Sequence, residues 1–313
     1  MSIEKLFDYS LEGLYILSGL LMYLSVFYVI KDKKNDSRIT TALFWGILGS
    51  IFIFGRWLPS AAVGAAIIVM GIITLFKKVK VGSVAEISES FKLEQAKRIG
   101  GKIFVPSITL AIVAFAFAQF TSKLSGFAGQ VAIGVSALVA LAVVFVITKA
   151  KPKYIAEDGD RLLRQVGPAS ILPQLLAALG TLFTAAGVGE VISNMISNVI
   201  PQGNILVGVA AYCIGMALFT IIMGNGFAAF AVITAGIGVP FVYSYGANPA
   251  IAGALALTAG FCGTLLTPMA ANFNVVPAAL LETKSKNRVI ISQAPVALIM
   301  LFIHIVLMYY LAF

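Results

Sequence analysis

Apolar stretches of roughly 20 residues recur from one end of this chain to the other, and that recurrence constrains the fold more than any motif. Such a stretch is what an α-helix needs to cross a hydrocarbon core about 30 Å thick. The stretches lie near residues 12–30, 40–58, 60–76, 104–121, 127–148, 168–187, 205–223, 226–244, 249–266 and 289–311. Of the 313 residues, 60% are hydrophobic and only 11% charged, against roughly a quarter charged in a soluble domain. A chain so poor in charge cannot clothe its own surface in water, and a bilayer removes the need. The expectation is an all-α integral membrane protein of about ten transmembrane helices. It reads as one membrane domain over 1–313, with no room left for a soluble catalytic domain.

The formal net charge is +9. In a soluble protein this would raise the question of nucleic acid, but here the cations sit in short connections between apolar stretches. All but Lys5, Arg56 and Lys123 of the 22 Lys and Arg residues fall in four groups, at 31–38, 77–102, 149–164 and 284–288. In an alternating ten-span chain those groups share one side, which the positive-inside rule makes cytoplasmic. The reading is a multi-pass protein of a bacterial-type inner membrane with both termini extracytoplasmic. The N-terminus is acidic and lacks the basic region of a cleaved signal. Cys213 and Cys262 stand alone in apolar stretches and read as packing residues.

Polarity divides the chain. Residues 12–148 are five ordinary apolar spans, a scaffold, and 149–167 is a basic cytoplasmic loop. Residues 168–283 form a polar core rich in Gly, Pro, Asn and Thr, and 289–311 is the last span. Between Arg164 and Glu282 the only charge is Glu190. Neutral polar groups in lipid are costly unless satisfied, so their concentration points to a hydrated cavity or a substrate path. Gly and Pro inside apolar runs favour broken helices or re-entrant hairpins, whose exposed ends attract ions. The candidate substrate-binding residues are Asn225, Gly226, Thr264, Thr267, Asn272 and Asn274, with Pro268 and Pro277 beside them. Thr184, Glu190 and Thr234 are candidates for ion coupling, Thr184 and Thr234 because each opens a Thr-Ala run followed by paired glycines. Close packing through small residues is the competing reading of those glycines. For Glu190 it is a wetted carboxylate at a span end. Glu282 reads as a cap at the inner boundary. His304, the one histidine, cannot build a His-Glu-x-x-His zinc site and reads as a local packing residue. No resident metal or organic cofactor is expected beyond Na⁺ as a coupling ion.

Residues 83–102 carry a capping-box pattern, Ser83 with Glu86, and apolar Val84, Ile87 and Phe91 at helical spacing. With four basic residues this segment reads as an arm helix lying on an anionic leaflet, or as a solvated loop holding a short helix.

Three runs carry a family resemblance. They are Thr41-Ala-Leu-Phe-Trp-Gly-Ile-Leu-Gly49, the run Asn225–Pro240, and Gly263-Thr-Leu-Leu-Thr-Pro-Met-Ala-Ala-Asn-Phe-Asn-Val-Val-Pro-Ala-Ala-Leu-Leu-Glu282. Over nearly its whole length the chain resembles the bacterial membrane family known as domain-of-unknown-function nine-seven-nine, itself similar to the ion-transporter superfamily. The resemblance implies hairpin-like segments around Asn225, Thr267, Pro268, Asn272 and Asn274. It further implies a subunit of a 5-oxoproline transporter, accompanied by a second small membrane subunit and by a pyroglutamyl peptidase. The expected function is therefore uptake of a small carboxylate, most readily 5-oxoproline, as a symport with Na⁺ or H⁺. Homo-oligomerisation is left open. There is no phosphate-binding Gly-x-x-x-x-Gly-Lys-Ser/Thr loop, and the chain is not expected to be an enzyme. The alternatives are an accessory subunit without its own substrate site and, more remotely, an intramembrane enzyme.

Overall fold

The computed structural model describes residues 2–83, 88–121, 123–197, 203–285 and 287–313, and throughout them the regular structure is helical. The chain divides into two compact units, Met1–Arg164 and Gln165–Phe313. Among the described residues, seven helical stretches are long and apolar enough to cross a membrane, three of them (90–121, 153–185 and 226–245) passing through a 3-10 or π turn, and three shorter helices of 16 or 17 residues are also apolar. The chain is an all-α, multi-pass membrane protein.

The first unit holds α1 (Ile3–Lys31), α2 (Arg38–Phe54), α3 (Ser60–Leu75), α4 (Glu89–Ile99), α5 (Val105–Thr121), α6 (Ala128–Thr148) and α7 (Lys153–Val166). Here α1 packs along α2 and also touches α6, and α5 pairs with α6. The interior is thin: Phe7, Leu11, Ala128 and Val131 form one cluster, and α5 buries no residue at all. Ile112 and Phe115 stand 62% and 68% exposed. In water that would drive aggregation, whereas in a bilayer such side chains face lipid tails that are as apolar as they are.

The basic connections of this unit meet at one end. An extended segment, 78–83, runs beside the α1–α2 connection. Thr40 donates to the Lys78 carbonyl at 2.6 Å and the Asn35 amide to that of Lys80 at 3.3 Å. The Ser83 hydroxyl and N–H donate to the two oxygens of Asp32, at 2.6 and 2.7 Å. Glu86, Val84 and Ile87 of the expected box lie outside the described residues. The helix α4 has its own cap five residues beyond Ser83, where the Ser88 hydroxyl accepts from the Phe91 N–H. Within 149–167 the chain is largely helical, as the strongly amphipathic α7.

The second unit holds α8 (Leu172–Ala185), α9 (Val188–Ser197), α10 (Ile205–Met223), α11 (Gly226–Ile233), α12 (Val239–Phe241), α13 (Pro249–Thr264), α14 (Val275–Leu280) and α15 (Arg288–Leu311). At its centre is α10, packed by α11, α13 and α15. Val209, Tyr212, Cys213 and Met216 of α10 are fully buried, against Ala229, Ala252, Ala256, Ala259 and Met308. The two cysteines are buried and unbonded.

Helices are interrupted in this half at two glycines and a π turn. Gly224, at φ +67°, ends α10, and α11 starts two residues later. The chain turns back there, because Gly208 of α10 lies against Phe241 while Gly215 lies against Ile237 and Ile233. Residues 205–245 are thus a helical hairpin with arms of crossing length. Its second arm is not one regular helix: α11 gives way to a π-helical turn at Thr234–Gly238 before α12. The other break is at Gly187, φ +69°, between α8 and α9. Gly236 of the π turn meets the Gly189 backbone of α9, so close that a Cβ there would come within 2.6 Å of its carbonyl oxygen. Wide turns of this kind inside helices recur at functional positions.

Candidate functional site

The break at Gly224-Asn225 makes a cavity. Asn225 is extended, and its Oδ1 accepts from the N–H groups of Phe227 (2.9 Å) and Ala228 (3.4 Å), capping α11. That leaves the Asn225 amide nitrogen as its remaining donor. The end of α13 and the irregular chain after it close over this turn. Gly224 could not be any other residue, since a Cβ on it would strike the Met269 carbonyl. The result is a cavity of about 270 Å³, whose polar lining comes from Asn225, Thr264, Asn272 and the glycines Gly224 and Gly226. Leu176, Met269, Ala271 and three phenylalanines make the rest, Phe227 and Phe261 meeting edge-to-face at 5.9 Å.

Four of the six expected substrate residues, Asn225, Gly226, Thr264 and Asn272, therefore line one cavity. They do so with different chemistry. Thr264 is 2% exposed and its hydroxyl donates to the Phe261 carbonyl at 2.6 Å, so towards a ligand it can only accept. Asn272 is exposed, and its amide offers both a donor and an acceptor. The start of α11 adds a partial positive charge.

Thr267 and Asn274 are not in the lining. Asn274 is fully buried, and its amide nitrogen donates to the Thr264 and Thr267 carbonyls, 2.7 Å each. Its oxygen accepts from Gln293 of α15 at 3.1 Å. Thr267 donates to the Ile221 carbonyl near the end of α10 at 2.8 Å. These two side chains shape the wall on which Asn272 stands. Below the cavity, Thr220 is fully buried, and its hydroxyl has no hydrogen-bond partner.

The three candidates for ion coupling lie elsewhere. Thr234, in the π turn, is eight residues beyond Gly226, about 12 Å along a helix axis. Its hydroxyl is 2.7 Å from that of Tyr212, which lies 3.1 Å from that of Tyr243. Thr184 is exposed and donates to the Gly180 carbonyl at 3.1 Å. Glu190 is exposed in the first turn of α9, beside the Gly189–Gly236 contact. Glu282 accepts from Gln165 at 3.0 Å, and His304 bonds the Met300 carbonyl one turn back in α15. Asn198, a further amide of the polar stretch after Glu190, lies outside the described residues. Among those described, no three His, Cys, Asp or Glu side chains converge on a point where a metal could sit.

A second polar constellation, in the first unit, was not among the expected site residues. Arg164 of α7 is 5% exposed in its side chain and lies between Asp160 and Asp32. Its Nε donates to Asp160 at 2.9 Å, one terminal nitrogen to the other Asp160 oxygen, and the second to Asp32 at 3.2 Å. Ser25 of α1 donates to Asp160 at 2.6 Å. Burial works against ionised Asp32, but the hydrogen bonds from Ser83 and the Lys34 N–H, with the Arg164 charge, hold its carboxyl below the usual range. The signal was present as Asp160-x-x-x-Arg164, a helical i,i+4 pair. It was hidden because each cation had been counted only as a mark of topology.

No curated protein and no solved structure is detectably similar to the chain. The sequence itself places it: the chain belongs to the family of proteins of unknown function DUF979, whose model matches residues 12–313.

Proposed function

We propose that this protein is the substrate-binding subunit of a secondary transporter for a small carboxylate, with 5-oxoproline the best-suited candidate. The carrying observation is the cavity at the Gly224-Asn225 turn. It joins the N-terminus of α11 to neutral amides on broken backbone, and its lining contains no Lys or Arg. A carboxylate fits the helix start and the Asn225 amide nitrogen, while a lactam offers its N–H to the Thr264 hydroxyl oxygen and its carbonyl to the Asn272 amide nitrogen. At about 270 Å³ the space lies just below the usual range for drug-sized ligands, which suits a compact monocarboxylate. Thr267 and Asn274 act as positioning residues.

In this reading the protein sits in the inner membrane with both termini outside, and the cavity opens towards the cytoplasmic ends of α10 and α13. Na⁺ or H⁺ drives uptake, and the π turn at Thr234, with α9 and Glu190 packed beside it, is the place where coupling is sought. A second small membrane subunit completes the transporter. Proteoliposomes carrying both subunits should accumulate labelled 5-oxoproline when a Na⁺ or a pH gradient is imposed, and this chain alone should not. Accumulation by this chain alone would overturn the two-subunit reading. Absence of uptake under either gradient with both subunits present would overturn the substrate.

A further inference from the structure

The basic residues before α5 and after α6 are far apart in sequence, yet the fold brings them together. A terminal nitrogen of Arg98 donates to the Thr148 carbonyl, in the last turn of α6, at 2.7 Å. Lys149 follows immediately in the left-handed conformation and turns the chain away. Lys97, Arg98 and Lys102 therefore share one corner with Lys149, Lys151 and Lys153, and all six are exposed. The acidic residues nearest to them in the chain are Glu89 and Glu94 on α4 and Glu157 and Asp158 on α7; Glu157 is 3.9 Å from Lys153, and Asp158 is 3.3 Å from Arg161. Gly100 and Gly101 lie at the same corner, and a Cβ on either would meet nothing within 4 Å. Ile103 and Phe104, 64% and 66% exposed, stand where α5 enters the apolar layer.

A cationic corner with open backbone, set at the rim of a lipid-facing helix pair, matches one kind of molecule. We propose that the α4–α5 and α6–α7 junctions together form a binding site for the headgroup of an anionic phospholipid. Its phosphodiester is held by the Arg98 donors that Thr148 leaves unused and by the lysines, and its acyl chains lie along Ile103, Phe104 and α5. Arg98 contributes geometry as well as charge, because its guanidinium can hold a carbonyl and a phosphate at once. This goes beyond the sidedness rule, which needs only that the charges share a side, and it does not depend on what the protein transports. Basic pockets between membrane helices are a recurring means of holding such lipids.

The test uses full-length protein in nanodiscs of phosphatidylcholine containing a minority of phosphatidylglycerol with a photoactivatable acyl chain. Adducts on the wild type should concentrate in residues 97–108 and 145–154. In the variant R98Q/K102Q/K149Q/K151Q they should fall by about tenfold or more, whereas K33Q/K34Q, which neutralises a different basic connection, should behave as wild type. Adducts spread evenly over the lipid-facing helices, or a quadruple variant labelled like the wild type, would overturn the proposal. So would suppression of labelling by excess glycerol 3-phosphate, since the site would then take soluble phosphate esters. The wild-type adduct map stands whether or not the quadruple variant folds.

Discussion

The two units satisfy their buried polar groups by different means. In the first these include a charged cluster, Asp32, Arg164 and Asp160, held by Ser25, Ser83 and backbone, beside neutral Asn35, Ser37 and Thr41. In the second they are neutral: Asn274 staples two carbonyls to Gln293, Thr267 reaches α10, and Tyr212 meets Thr234. Losing one partner of a buried ion pair leaves an uncompensated charge, a cost of about 3–5 kcal/mol. Breaking one neutral hydrogen bond between membrane helices costs on average only about 0.6 kcal/mol. The first arrangement suits a unit that keeps its shape, and the second suits one whose internal contacts exchange with a solute.

That contrast is sharpest at Arg164. Arg164→Ala should cost about 3–5 kcal/mol and sharply reduce the yield of folded protein, measured by detergent-solubilised thermal unfolding. Arg164→Lys should retain part of it, since one ammonium cannot serve both carboxylates in the same fork geometry. Asn274→Ala should cost less, about 1–3 kcal/mol, because it strands the Thr264 and Thr267 carbonyls without stranding a charge. If the two variants lose equal stability, the division between charged and neutral units fails.

Asn272→Ala probes the cavity itself. Its side chain is exposed, so unfolding should not move, while the apparent KM of reconstituted uptake should rise about tenfold, one hydrogen bond's worth. Uptake unchanged in that variant would remove Asn272 from the site. Tyr212→Phe, which cuts the link to Thr234 beside the π turn, should cost about 0.6 kcal/mol. If it also changes the dependence of uptake on the driving ion, the π turn belongs to the coupling machinery.

The charged unit also has an acid limit. With the Asp32 carboxyl held low in the folded state, its contribution is complete above the unfolded value, near pH 4, and is lost as the pH falls through the folded one. Stability of the wild type should be level from about pH 8 to 5 on this account and decline below about pH 4. Asp32→Asn should flatten that decline.

Much of this contrast was legible in the sequence, because composition fixes where charge is scarce. The apolar runs at 205–223 and 249–266 correspond to α10 and α13 almost residue for residue, since twenty apolar residues in lipid can satisfy their backbone only as helix. The glycines of the run 226–244 pointed to a broken helix, but not to a π turn, because nothing in Thr-Ala-Gly-Ile-Gly distinguishes an i+5 bond from an i+4 one. In Ala-Asn-Phe-Asn the two amides stand two residues apart on irregular chain. Composition marked both as polar, but only the fold turns Asn272 to the cavity and Asn274 inward. At Ser83 the converse holds: its bonds to Asp32 span some fifty residues of chain, which no local pattern could announce.

The two-residue turn at Gly224-Asn225 has a consequence for how this chain can vary in length. Both of its residues have a fixed part: Gly224 takes the left-handed conformation against the Met269 carbonyl, and Asn225 caps α11. An added residue would have to take one of those two places, so the cap or the close approach to Met269 would be lost although every other side chain remained as it was. Between Met223 and Gly226 the spacing itself is part of the site, and an insertion tolerated in a longer surface connection would here disturb the cavity lining directly.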